Sequence, residues 1–356
     1  MGYSKTVLLD GHFLDGKKHG VAVLIERIYE RFVELNPDVL LIIGLERECS
    51  SNYAFFTKAN VEIVYYSVGG FLRFLIDLPI LMFRRRPDLV HTQYFLPLRL
   101  GSEALRHVSM HDILFEDFPE FYSLPYRVIR SFLFRISARR ADLLTTISHY
   151  SASRIQHHYR PPHDMHIIPL GMMDEVVSSD ALSSHLVEKP FFLYVSRFER
   201  RKNHLRLIEA LSRIVGDGSE VSLVLVGFDV DGSLMDTKIA VAETGLTDKV
   251  IFLSNISDSE LNRLYIDAVA VIYPSLCEGY GMPVVESLAL NEKTFFSNTT
   301  AMAEFDFARD NMFDPYSVDA ITSVMRAAIS SEDCIGLGNS TGSRFASFIK
   351  ERYTWD

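Results

Sequence analysis

The sequence predicts an α/β chain of two halves, each built on a mostly parallel sheet. Three observations carry that expectation. Short apolar runs alternate with helix-length amphipathic segments along nearly all of the 356 residues. The alternation stops across Met172–Lys189, where Ser, Asp and Glu replace any hydrophobic period, and it restarts after Pro190. With 48% hydrophobic residues, a chain of this length can bury two cores of ordinary domain size. The halves are therefore 1–172 and 190–343, joined by a linker at 173–189. Strands alternating with helices form βαβ units, so each half is Rossmann-like, and such open sheets bind ligands outside the carboxyl ends of their strands.

In the first half, strand Thr6–Leu9 runs into a loop with three glycines, Asp10–Gly20, and then a helix over Val21–Leu35. That loop is neither a P-loop nor a dinucleotide fingerprint, since no G-K-[ST] ends it and no G-x-G-x-x-G lies in it. Strands follow at Val39–Gly44, Val61–Tyr65, Leu89–Thr92, His107–His111, Leu143–Ile147 and His166–Pro169, with helices at Phe71–Arg86, Tyr126–Arg139 and His149–His157. The second half reads as strands Phe191–Val195, Val221–Val226, Val250–Leu253, Val269–Tyr273 and Thr294–Ser297. Its helices are Leu205–Val215, Asp236–Thr244, Ser257–Ala268, Pro283–Leu290 and Ser317–Ser330.

Composition narrows the function. Cys49, Cys277 and Cys334 are scattered and make neither a disulfide framework nor a metal knuckle, and no signal-peptide layout precedes the first strand, so the expected location is the cytoplasm. The isoelectric point near 5.7 argues against non-specific nucleic-acid binding. Charge is unevenly spread, however. Residues 71–160 hold 13 Arg, no Lys and 8 Asp or Glu, in a chain whose net charge is −10. The apolar run Phe71–Phe83, interrupted by Arg73, Asp77 and Pro79 and followed by Arg84–Arg86, has two readings. It is a core helix with a basic end, or a helix lying in a membrane interface with arginines at the headgroups. The arginine-rich stretch suits an anionic partner, either lipid headgroups or a pyrophosphate-bearing acceptor.

The chemistry gathers around Tyr273–Leu290, Y-P-S-L-C-E-G-Y-G-M-P-V-V-E-S-L-A-L, a strand, a Gly-rich loop and a helix start with Pro283 near its first position. Free N–H groups and the helix dipole make such a junction an anion site. Glu278 and Glu286 cannot bind phosphate but can accept hydrogen bonds from hydroxyls, which suggests a ligand with both phosphate and sugar. The first strand of the second half supplies the complement: Arg197 follows it directly and Lys202 stands five residues on, a bidentate fork and a point charge for phosphate. At about 4 Å and an effective dielectric near 20, each such contact is worth roughly 4 kcal/mol before desolvation.

Together, S-R-F-E-R-R-K-N-H-L, L-V-L-V-G, S-D-S-E-L-N-R-L-Y-I-D-A and P-S-L-C-E-G-Y-G-M-P-V-V-E-S-L-A resemble the retaining family-4 glycosyltransferases of the GT-B fold. In the first half M-H-D-I-L-F-E-D-F-P-E-F, A-D-L-L-T-T-I-S-H-Y-S and I-I-P-L-G-M add to the likeness. The nearest character is that of bacterial surface-polysaccharide mannosyltransferases. The resemblance implies a nucleotide-sugar donor, GDP-mannose foremost, and a lipid-linked or surface glycan acceptor such as O-antigen or capsule. It implies no cofactor and no metal, and places the chain in the cytoplasm or on the inner face of the plasma membrane. It assigns Arg197 and Lys202 to the donor diphosphate and Glu278 to the donor sugar. The loop Gly279, Tyr280, Gly281, Met282, Pro283 and Val284 would reach sugar and phosphate, with Ser196 beside them. Glu286 would take the ribose, and Phe252 and Leu253 the base. His111 and the loop around Gly16 and Gly20 would close over the donor sugar. Tyr353–Asp356 matches the start of the family's final helix, so 344–356 reads as that helix cut short. Two other functions share the twin halves: a sugar-nucleotide epimerase and a non-catalytic sugar-nucleotide-binding subunit. UDP- and dTDP-sugars remain alternative donors.

Other candidate residues read as structure. Asp229-Val230-Asp231 is a D-x-D tripeptide in a predicted loop, assigned to loop chemistry. His107 and His111 on one strand would stand roughly 13 Å apart, too far to share a metal. His157, His158, His163 and His166 read as a surface loop, and Cys277, with no neighbouring histidine to act as base, as a packed small residue.

Overall fold

A computed structural model describes residues 3–15, 20–46, 53–171, 187, 188, 190–330, 345, 346, 348 and 349. Gly16, Cys49, Cys334, Tyr353–Asp356 and nearly all of the 173–189 and 344–356 segments lie outside the described residues. The chain divides into two compact units, with the boundary between Leu170 and Gly171.

The first unit opens with β1 (Lys5–Asp10), α1 (Gly20–Leu35), β2 (Val39–Leu45) and β3 (Val61–Tyr65). Next come α2 (Leu72–Leu75), α3 (Asp77–Arg85), β4 (Leu89–Gln93), β5 (Leu105–Ser109), α4 (Leu114–Asp117) and α5 (Leu124–Arg140). It closes with β6 (Leu143–Thr146), α6 (His149–Tyr159) and β7 (His166–Ile167). Its seven strands lie in the order β3-β2-β1-β4-β5-β6-β7, and every pairing is parallel. A parallel sheet is covered on both faces, which is why these strands read as continuous apolar runs instead of alternating ones. Leu8, Leu9, Leu41 and Ile43 are fully buried accordingly. Amphipathic α1 turns Ala22, Ile25, Tyr29 and Val33 toward the sheet, where they meet Leu9, Leu41 and Ile43.

The second unit repeats the plan: β8 (Phe191–Val195), α7 (His204–Gly216), β9 (Ser222–Val226), α8 (Ser233–Glu243), β10 (Val250–Leu253) and α9 (Asp258–Asp267). It continues through β11 (Ala270–Tyr273), α10 (Met282–Leu290), β12 (Thr294–Ser297), β13 (Met312–Phe313) and α11 (Val318–Ser330). The strand order is β10-β9-β8-β11-β12-β13, again parallel throughout. Ser257 and Glu260 close a capping box at the start of α9, as the S-D-S-E spelling allows.

One predicted element is divided. The single helix expected over Phe71–Arg86 is two, because Ile76 leaves helical geometry at φ −120°, ψ −71°. Pro79 has no N–H to continue a helix from above, so the chain restarts at Asp77 and places the proline in the first turn of α3, where that N–H is not needed. The Asp77 carboxylate accepts from Ser67 Oγ at 2.6 Å and Val68 N at 2.9 Å, tying the restart to the preceding loop.

In each sheet the strand order reverses once, at β1/β4 and at β8/β11. Loops leaving the carboxyl ends of such a strand pair diverge to opposite sides and leave a crevice between them. At the second switch point, Gly227 lets the end of β9 lie against β8: a Cβ on it would stand 1.9 Å from the Ser196 carbonyl oxygen. Backbone cannot yield as a side chain can. Gly227→Ala is therefore expected to destabilise the chain by at least about 2 kcal/mol, read as a lowered thermal midpoint. An unchanged midpoint would show that the two strand ends can separate freely.

Candidate active site

The β8/β11 switch point brings two loops together. After β8, Ser196–Lys202 ends in a 3-10 turn over Arg200–Lys202, and Asn203 then adopts a left-handed conformation at φ 64°. This places the Asn203 amide so that it donates to Pro274 O at 2.9 Å and Pro315 O at 2.8 Å. Leu276 N donates to Arg201 O at 2.8 Å, and Tyr194 OH reaches both Lys202 O (2.8 Å) and Ser275 Oγ (3.2 Å). Two direct contacts, Asn203 to Pro274 O and Leu276 N to Arg201 O, and the Tyr194 hydroxyl between Lys202 and Ser275 thus fasten the cation loop to the loop that carries Glu278.

At the junction the Glu278 carboxylate is shared by two cations. Arg201 Nη1 lies 3.0 Å from Oε2, and Lys202 Nζ is paired to Oε1. Arg201 also donates to Cys277 O at 2.9 Å, and its Nε meets Glu199 Oε2 at 2.7 Å. Glu199 in turn takes Arg197 Nη2 at 2.9 Å. The side chains of Glu199, Arg201, Lys202 and Glu278 are 11–13% exposed, whereas that of Arg197 is 48% exposed. Burial pushes the Glu278 carboxyl up, but Lys202 and Arg201 outweigh it and hold it at about 2. Lys202 is also shifted down, because burial of its ammonium and the adjacent Arg201 outweigh the attraction of Glu278. The two shifts are consistent, since one carboxylate divides its field between two cations.

Glu286 behaves in the opposite way. It lies in the second turn of α10, and burial, with Asp258 adding to it, raises its carboxyl to about 7. Among the described residues no side chain or backbone N–H is within hydrogen-bond distance of it; the nearby Tyr265 and Tyr273 hydroxyls bond to each other at 3.2 Å, and Tyr273 also bonds to Pro283 O. A half-buried carboxyl without a protein donor is open to hydrogen bonds from a ligand.

Around these groups, Gly281 takes φ 112° to start α10, with Met302 and Phe305 so near that a Cβ would be crowded at 3.0 and 3.3 Å. Val284 N bonds to Gly281 O at 2.9 Å, so that N–H serves the turn. The Tyr280 ring is buried edge-on against Phe305. Met282 and Pro283 are the first two residues of α10, and Gly279 follows Glu278, whose own N donates to Thr300 Oγ1. Ser196 Oγ is 3.2 Å from His204 Nε2. Phe252 and Leu253 end β10, half-buried, with Phe198 6.0 Å from the Phe252 ring and Lys238 Nζ 5.5 Å above it. Asp229 and Asp231 accept from N–H groups of Gly232, Ser233 and Arg200, which is loop chemistry. Among the described residues no group of three His, Cys, Asp or Glu is arranged for a metal.

His111 and Gly20 belong to the first unit. His111 follows β5, buried, with Nε2 2.8 Å from Gln93 Oε1; Gly20 is the first residue of α1. His107 is turned elsewhere, stacked on His91 at 3.9 Å and bonded to Thr145. At the β1/β4 switch point a pocket of about 370 Å³ is lined by His12, Phe13, Arg73, Gln93, Tyr94, Phe95 and Arg130. Behind it the fully buried Asp10 accepts from Arg73 Nε at 3.2 Å and Tyr66 OH at 3.0 Å. His12 Nδ1 stands 3.0 Å from Asp10, outside hydrogen-bond alignment. Sequence reasoning did not reach Arg201, Glu199, Asp10 or Arg73. For Arg201 the signal was present, in the Arg200-Arg201-Lys202 run; only the 3-10 turn decides which of the three faces Glu278.

Comparison with known proteins identifies the family. The family model described as "Glycosyltransferase Family 4" matches residues 19–175, and that described as "Glycosyl transferases group 1" matches residues 181–339. The chain belongs to the family-4 glycosyltransferases. As a family-4 member it is similar to the O-antigen chain mannosyltransferase RfbU of Salmonella typhimurium, 28% identical over 239 residues, covering 67% of this chain and 62% of that protein. It is also similar to the serotype-specific mannosyltransferase WbdA of Escherichia coli, 31% identical over 144 residues, covering 40% of this chain and 18% of that protein. The chain thus spans less than two thirds of the length of these relatives. Among solved structures, Anabaena HepE in complex with UDP-glucose superposes with a TM-score of 0.72 over 99% of this chain and 96% of that one, at 15% identity, which shows the shared GT-B fold.

The shared carboxylate gives this family-4 chain a defined acid response. With the unperturbed carboxyl at 4.5 and the folded one at about 2, the contribution of Glu278 is fully present above pH 4.5 and is lost as pH falls toward 2. Glu278→Gln should lose about 3–5 kcal/mol at pH 7, because Lys202 loses its paired carboxylate and Arg201 keeps only Glu199, and part of the loss of stability between pH 5 and pH 3 should vanish. Urea unfolding of both proteins across that range checks it; equal pH slopes would mean that Glu278 is not the group held charged.

Proposed function

We propose that the chain is a retaining, metal-independent hexosyltransferase that moves mannose from GDP-mannose onto a hydroxyl of a lipid-linked or surface glycan. The observation that carries this reading is the pairing of Lys202 and Arg201 on Glu278 at the β8/β11 switch point, with the unpartnered carboxyl of Glu286 on the helix that follows. Lys202 and the half-exposed Arg197 would hold the donor diphosphate, and the positive charge would count most as the leaving group gathers negative charge. Glu278, kept ionised, would accept from donor-sugar hydroxyls while orienting Lys202. Glu286 would take the ribose hydroxyls, which supply the donors it lacks. The names of RfbU and WbdA support mannose as the sugar and a surface polysaccharide as the product.

The reaction we propose is front-face displacement. The bond from the anomeric carbon to the diphosphate oxygen breaks, the acceptor oxygen bonds to that carbon on the same face, and the acceptor proton passes to the departing phosphate. A second reading, a UDP-sugar donor, is favoured by the likeness to HepE, whose structure holds UDP-glucose.

Incubating the chain with GDP-mannose, UDP-sugars and dTDP-sugars, with and without acceptor glycans, tests the proposal. Formation of a glycoside that keeps the donor's anomeric configuration is expected. Conversion of a donor without acceptor would make the chain an epimerase, and binding without turnover a non-catalytic subunit.

Donor affinity should also follow pH. Glu286 titrates near 7 and accepts hydroxyl donors best when charged, so GDP-mannose should bind roughly fivefold to tenfold tighter at pH 8 than at pH 6. Glu286→Gln should bind more weakly and lose that dependence. A calorimetric titration that is flat across this range for the unaltered chain would remove Glu286 from the ribose.

A further inference from the structure

The outward face of α5 carries the wrong residues for water. Its sequence, LPYRVIRSFLFRISARR, contains five arginines and no carboxylate. Leu124, Val128, Phe132, Arg135 and Arg139 recur at helical spacing and form one stripe on the exposed side. Leu124 is 67% exposed, Val128 and Ile129 are 59% and Phe132 is 64%. A surface helix of a soluble domain normally turns such a stripe inward and shows polar groups outside. Here the inner side is already supplied by Phe134, Ser137 and Ala138.

On the inner side of α5, Phe95 packs edge-on against the buried Phe134 at 5.3 Å and against Phe71 at 5.3 Å, and Phe71, Leu72 and Leu75 are themselves exposed. Arg130 sits in the same group, 4.4 Å from the Tyr126 ring centre and 5.8 Å from that of Phe95, and it lines the pocket at the β1/β4 switch point. Two carboxylates of neighbouring elements are already paired with other cations. Asp117 takes Arg154 and His158, and Asp142 takes Arg99 and Arg106. Among the described residues, none of the five α5 arginines has a carboxylate partner. In a chain of net charge −10, an uncompensated basic and apolar face is local and specific.

We propose that this face, Leu124, Val128, Ile129 and Phe132 with Arg135 and Arg140, docks the chain on an anionic lipid bilayer. The apolar first half of the stripe enters the interface and the arginines of the second half meet the headgroup phosphates. Positive charge of one sign combined with exposed aliphatic and aromatic groups matches a negative lipid surface at both levels. The position of the face beside the Arg130 pocket would bring that pocket to the membrane surface.

Vesicle sedimentation of the full chain needs no turnover, so it can fail or succeed independently of the transfer reaction. Co-sedimentation is expected with phosphatidylglycerol-containing vesicles, with at least roughly tenfold less on pure phosphatidylcholine vesicles or at high salt. Leu124→Ser/Val128→Ser/Phe132→Ser and, separately, Arg135→Glu/Arg140→Glu should each reduce binding by roughly tenfold or more while keeping the thermal midpoint. Met235→Ser/Ile239→Ser, which removes exposed apolar groups from α8 instead, should leave binding unchanged. Failure of the unaltered chain to bind anionic vesicles overturns the proposal, as does equal binding by the α5 variants. A vesicle-independent dimer that the triple serine variant dissolves would reassign the face to contact between copies.

Discussion

The second unit depends on one carboxylate held between two cations. Glu278 is where the loop after β11 meets the loop after β8, and its charge is what makes burial of Arg201 and Lys202 tolerable. Neutral hydrogen bonds do the positioning: the amide of left-handed Asn203 on Pro274 O, Leu276 N on Arg201 O, and the Tyr194 hydroxyl between Lys202 and Ser275. Such a cluster is assembled by the protein's own contacts, so a diphosphate would meet preset charge without the cost of assembling it. Glu286 complements it, being the nearby carboxyl that the protein leaves without a donor.

The same strand reversal gives the first unit a pocket of a different character. There a buried Arg73 is neutralised by Asp10 and Glu46, and aromatic rings of Phe13, Tyr94 and Phe95 line the space. The second unit therefore presents charged groups to its crevice, whereas the first lines its pocket with three aromatic rings together with His12, Gln93, Arg73 and Arg130.

Most of the architecture was legible because fully covered parallel strands are written as unbroken apolar runs, as in Phe191–Val195 and Val39–Leu45. What escaped the sequence reading was decided by contacts distant along the chain or by local backbone geometry. Asp10 and Arg73 are 63 positions apart and meet only after β1 and α2 are placed. The division of Phe71–Arg86 was marked by Pro79, yet its apolar period continued across the break. Glu278 and Lys202 were expected at one site, but their direct pairing was not, because the 3-10 turn that aims Lys202 and Arg201 has no period to read. Outward-facing Val128 and Phe132 were legible as helix but not as a surface, since apolar residues in a helix usually mark its buried side, and Leu124 lay outside the expected Tyr126–Arg139.

The proposed donor site depends on Lys202 meeting the diphosphate beside Glu278. Calorimetric titration of GDP in the presence of EDTA, into the unaltered chain and into Lys202→Ala, tests this directly. Metal-free binding by the unaltered chain and a loss of at least about tenfold in the variant are predicted, the size expected for a charged hydrogen bond. Equal affinities, or binding that needs a divalent ion, would contradict it.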